Sequence, residues 1–144
     1  MLGDSGAYLL GFFIGLIIIS SHMNNPDISP YFFISLIWYP CFENLFSILR
    51  KLNRKFSPLK PDSKHLHQLV FFFILKKFKL KLIFSNNFSS AIILFFNFLV
   101  IYISTLNLSS TIFQIKLIAT SIIIYNISYM LLFRFYKLNL IPKN

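Results

Sequence analysis

Two histidines, His65 and His67, stand two positions apart in the most polar stretch of an otherwise apolar chain. Residues 57–68 (SPLKPDSKHLHQ) also hold one of the four acidic residues and two prolines, which disfavour a regular helix through the stretch. Side chains two apart share a side only on an extended or turn backbone. Imidazole hydrogen-bonds to phosphate oxygens, or protonates them, near neutral pH. With Arg54, Lys60 and Lys64 close by, the pair reads as a phosphate-handling group; the bland alternative is two solvated loop histidines. A zinc site would need further nitrogen or sulfur ligands, and the single cysteine, Cys41, is remote in sequence.

Two carboxylates complete the candidates. Asp4 lies between glycine and serine at the head of an apolar run, where backbone N–H groups are unpaired. It reads either as a helix cap or as a ligand for a hard cation such as magnesium, which takes one or two carboxylates together with phosphate oxygens. Glu43 falls inside the second apolar run, where a carboxylate is costly and needs a partner. It reads as an ion pair with Arg50, two helical turns on, or as a substrate contact. The third histidine, His22, has no obvious partner.

The elements that must hold these residues are hydrophobic spans. The chain has 144 residues, of which 56% are apolar, 19% aromatic and only 12% charged, and its mean hydropathy is +0.69. Soluble domains carry about 25% charge, so an all-α, polytopic membrane protein of one domain is expected. About four transmembrane helices can be drawn, over residues 5–21, 31–49, 88–105 and 111–133, with a basic loop at 50–87. The second span is interrupted by Pro40 and Glu43, and the short link at 106–110 predicts an antiparallel hairpin of the last two. Residues 69–84 read as an interfacial element, with helix and strand both open.

Ten of the 14 Lys and Arg residues fall between Arg50 and Lys81, and three more lie in the C-terminal tail. The connections on the other side have none, so the N-terminus, the 50–87 loop and the C-terminus are expected to be cytoplasmic. A multi-pass protein of the cell inner (plasma) membrane follows. The net charge of +10 is thereby accounted for by topology and anionic headgroups, and no nucleic-acid partner is expected.

In combination, these motifs resemble a known family. Gly3-Asp4-Ser5-Gly6, the Pro40–Glu43 pair, Arg50-Lys51, Ser57-Pro58, Pro61-Asp62 and His65-Leu66-His67-Gln68 are similar in order and spacing to the polyprenyl-phosphate sugar-1-phosphate transferases over residues 2–69. That superfamily includes the undecaprenyl-phosphate N-acetylglucosamine-1-phosphate and the phospho-N-acetylmuramoyl-pentapeptide transferases. The resemblance implies transfer of a sugar-1-phosphate from a UDP-sugar to polyprenyl phosphate, in cell-wall or polysaccharide biosynthesis. It implies Asp4 as a ligand of Mg2+, His65 and His67 as catalytic residues, and Lys64, Gln68 and Glu43 as substrate-binding. Gln68 stands where the family usually has a third histidine, and Glu43 where an aspartate is common. The family's other acidic motifs lie upstream of its GDxGS segment. The chain is therefore expected to be the C-terminal part of such an enzyme, working with a missing N-terminal part or partner chain. The alternative is a catalytically inactive fragment or a non-enzymatic four-span membrane subunit.

Overall fold

The computed structural model describes residues 3–53 and 64–140, without the side chains of Asp4, Ala7 and Leu140. These residues form five helices and, among them, no strand: α1 (Gly3–Asn24), α2 (Pro30–Asn53), α3 (Leu66–Phe78), α4 (Leu82–Thr105) and α5 (Thr111–Leu140). The fold is all-α and of polytopic membrane type. Helices α2, α4 and α5 are long and apolar enough to cross a membrane, and α1 contributes a shorter apolar stretch, Tyr8–Asn24. Their outer faces carry exposed leucine, isoleucine and phenylalanine from end to end, as lipid-facing helices do.

Each boundary has a local cause. Ser29 precedes α2 and its hydroxyl accepts from the Tyr31 N–H at 3.3 Å, while Pro30 fills the first helical position, where no N–H is needed. Helix α2 then runs without a break through Pro40 and Glu43, so the interruption expected there is absent. Proline removes one hydrogen bond, but the neighbouring turns and the packed flank of the helix hold it in register.

The basic stretch expected as a loop contains more structure than the sequence suggests. Residues 66–78 are the helix α3, which begins inside the polar stretch, one residue after His65. Helix rather than strand, it packs one face into the bundle: Leu66, Leu69, Val70 and Ile74 join the core with Trp38, Val100, Tyr125 and Tyr129. Lys79, in the left-handed conformation at φ 52°, ends α3, and only Leu80 and Lys81 separate it from α4. Helix α4 starts at Leu82, six residues before the expected boundary, because Ser85, Asn86 and Asn87 are helical despite their polarity. Ser85 and Ser89 are buried, small side chains that let a neighbouring helix close in.

Ring contacts fix the direction of α3. Its first residue, Leu66, and Tyr125 on α5 meet the same carboxylate, while Phe72 and Phe73 lie 4.8 and 5.0 Å from the rings of Tyr136 and Phe135. The chain therefore enters the bundle at the level of Glu43, ten residues and about 15 Å before the end of α2, and α3 leads back out to the basic end. At the opposite end Ser29 ties the α1–α2 turn to the α4–α5 turn, through its N–H to the Leu108 carbonyl (2.9 Å) and its hydroxyl to Thr111 (3.0 Å). Helix α1 touches the rest near this end, where His22 packs edge-on to Phe33 at 5.7 Å.

Candidate functional site

Glu43 is the centre of the site. It is 8% exposed and sits on the α2 face turned toward α3 and α5. One oxygen, Oε1, is 3.0 Å from His65 Nδ1 and accepts the Leu66 N–H, also at 3.0 Å. The other, Oε2, accepts the Tyr125 hydroxyl at 2.8 Å. A carboxylate only accepts, so His65 carries its proton on Nδ1 and presents Nε2 as the nitrogen open to a ligand. By taking the Leu66 N–H, Glu43 also caps α3 from a different helix, and its charge sits where the helix dipole favours it. The cap is completed locally, since Gln68 Oε1 accepts the His65 N–H at 3.2 Å.

Arg50 belongs to a second arrangement one step nearer the basic end. Its guanidinium donates to the Lys64 carbonyl at 2.6 Å and to the Tyr129 hydroxyl, and lies 5.3 and 5.8 Å from the ring centres of Tyr129 and Phe46. The ion pair expected between Glu43 and Arg50 is therefore replaced. Glu43 pairs with His65, and Arg50 holds the backbone one residue before it. Two side chains of α2 thus grip consecutive residues, 64 and 65, at the mouth of α3.

The structure brings five of the six expected site residues into one neighbourhood. His65, with 24% of its side chain exposed, stacks on His67 with ring centres 5.8 Å apart and planes 11° from parallel. His67 is exposed, and Lys64 and Gln68 are half-buried. His65 keeps the extended backbone that a pair two residues apart requires, although His67 is already helical. Gln68, expected to touch substrate, spends its carbonyl oxygen on the cap. The sixth residue, Asp4, falls in the first turn of α1, and its side chain lies outside the described residues, as do Arg54, Lys60 and the Ser57–Asp62 motif.

The described side chains do not make a metal site. Among them no three His, Cys, Asp or Glu converge, and both Glu43 oxygens are taken by protein donors. The expectation of Mg2+ rests on Asp4 alone.

Tyr125 and Tyr129 were not among the residues expected from sequence. Their signal is a pair of hydroxyl-bearing rings at i, i+4 in an apolar span: a buried tyrosine O–H needs a polar partner, and that spacing puts both on one helix face. Their rings stack at 6.3 Å. No protein-family model matches the chain, and no curated protein or solved structure is significantly similar to it.

Proposed function

We propose that the chain is the C-terminal part of a membrane transferase that moves a sugar-1-phosphate, of the N-acetylhexosamine type, from a UDP-sugar to polyprenyl phosphate. The observation that supports this reading is the bond between Glu43 and His65. It joins two motifs, 22 residues apart, that both belong to the resemblance to the sugar-1-phosphate transferases. In the reaction an oxygen of the lipid phosphate attacks the sugar-bound phosphorus, its bond to UMP breaks, and a lipid diphosphate sugar forms. His65, oriented through Nδ1, offers Nε2 to a phosphate oxygen, and His67 stacks beside it at the exposed mouth. Lys64 adds positive charge at the same place. Glu43 and Gln68 act by holding this group rather than by touching substrate. No step is assigned to Mg2+, because the described donors do not form its site.

The test is transfer of labelled sugar-1-phosphate to polyprenyl phosphate in membranes that contain the chain together with its upstream reading frame. Removing an acid–base group at the reacting phosphate is expected to lower the rate about 10²–10⁴-fold in His65→Ala, and Asp4→Asn, which removes the magnesium ligand that the resemblance implies, is expected to lower it as well. Undiminished transfer in both variants would sink the reading. A second reading, a catalytically inactive four-span membrane subunit, is favoured by one observation: Glu43 and Gln68 are both engaged in capping α3. It predicts no transfer by the wild-type chain, whatever its partner.

A further inference from the structure

An apolar groove runs between α3, α4 and α5. Its volume is about 620 Å³, within the usual range of ligand pockets, and Val70, Phe73, Ile93, Phe96 and Leu132 are among its walls. Along α5 it extends from Ile124 to Phe135, about 16 Å at 1.5 Å per residue. At the basic end it is closed by Phe73 and Phe135, whose rings meet at 5.0 Å, and the Lys77 ammonium lies 5.0 Å from the centre of Phe73.

The charge at that end is of one sign. Lys76, Lys77, Lys79, Lys81, Arg134 and Lys137 are all exposed there, on the end of α3, the turn into α4 and the last turns of α5. Neither described carboxylate is near. Glu43 is bonded to His65 and Tyr125, and Asp27 lies in the α1–α2 turn at the opposite end. A hydrocarbon slot capped by cations that no described carboxylate opposes complements an amphiphile with an anionic head.

We propose that this groove holds an acyl chain of an anionic phospholipid of the bilayer, with its phosphate against Lys77 and the neighbouring cations. The far end of the groove is walled by Leu66 and Tyr125, which bond to the Glu43 that also holds His65, but the proposed phosphate contact lies at the lysine end and does not depend on the transferase reading. One cation at a membrane surface enriches an anionic lipid about fivefold, and several close together select more strongly.

The single tryptophan reports on the groove. Trp38 is 3% exposed, so bulk lipid barely reaches it, yet its ring lies 5.8 Å from that of Phe96 in the groove wall. The full chain is reconstituted in phosphatidylcholine nanodiscs, with a minor fraction of phosphatidylglycerol or phosphatidylcholine brominated on its acyl chains. Trp38 fluorescence is expected to be quenched more by the brominated phosphatidylglycerol, and unbrominated phosphatidylglycerol to relieve that quenching where phosphatidylcholine does not. Lys77→Gln should reduce the preference about fivefold. Ser128→Phe, which fills the groove, should reduce quenching by both lipids, while Ile127→Phe on the exposed face should not. Equal quenching and equal competition by the two lipids on the unmodified chain overturn the proposal. So does displacement by farnesyl phosphate in preference to phosphatidylglycerol, which would give the groove to a substrate chain instead.

Discussion

The two ends of the helix bundle are held by different chemistry. At the end away from the lysine cluster, Ser35 Oγ lies 2.7 Å from Ser104 Oγ, and Ser104 donates to Gln114 Oε1 at 2.6 Å. Gln114 Nε2 then donates to the carbonyls of Ser104 and Asn107 at 2.8 and 2.9 Å. All three side chains are fully buried, neutral and satisfied. In the half of the bundle toward the basic end the junction is a carboxylate with three donors and an arginine stacked on aromatic rings. The neutral cluster needs nothing from outside. In the charged one, the side chains that anchor α3 are continuous with the part-exposed His65 and the exposed His67, so fixing the helix and presenting an ionisable group are the same act. A buried charge used only for packing would be a poor choice, since its desolvation can cancel its attraction. A buried charge that orients a working imidazole has a reason to persist.

This contrast can be broken most directly at Glu43. Glu43→Leu orphans His65 Nδ1, the Leu66 N–H and the Tyr125 hydroxyl, and should destabilise the bundle by about 3–5 kcal/mol. The loss would be read from the unfolding midpoint in mixed detergent micelles, with Glu43→Gln recovering part of it. At the neutral end Gln114→Leu should cost about 1–2 kcal/mol in the same measurement, because hydrogen bonds between membrane helices are individually modest. Equal losses at the two ends would erase the distinction. The smallest effect is expected for Tyr39→Phe. The Tyr39 hydroxyl, one turn from Glu43, is buried beside that carboxylate but makes no hydrogen bond of regular geometry among the described residues. Its removal should therefore lie within about 0.5 kcal/mol of neutral or stabilise slightly.

Much of the architecture was legible because lipid-facing helices must be apolar along their whole length. The runs that became α1, α2 and α5 and the cluster of cations between them can be read directly. What escaped was whatever polarity disguised. Ser85, Asn86 and Asn87 lower the hydropathy where α4 begins, and the alternation from Phe78 to Leu82 suggests a strand where Lys79 in fact breaks one helix from the next. Glu43 and His65 were each suspect, but nothing in their spacing says that they meet, and the nearer cation, Arg50, was the more obvious partner. The pairing is a tertiary event: it requires the chain to re-enter the bundle after α2, and that depends on Leu66, Leu69 and Ile74 burying against α4 and α5. Tyr125 escaped for a related reason, since one tyrosine in an apolar span carries no sign of which carboxylate it will meet.

The separation of Glu43 from its partners sets an order of events during synthesis. His65 follows it by 22 residues and Tyr125 by 82. At 5–20 residues per second, the first is made about 1–4 s after the carboxylate and the second about 4–16 s after it. For that interval α2 carries an acidic group whose Oε2 lacks the Tyr125 hydroxyl, which only α5 supplies. Formation of α5 is thus a completion step for the Glu43 junction, and a chain halted before Tyr125 would leave the ribosome with that carboxylate still half-solvated, marked as unfinished for whatever machinery surveys the membrane.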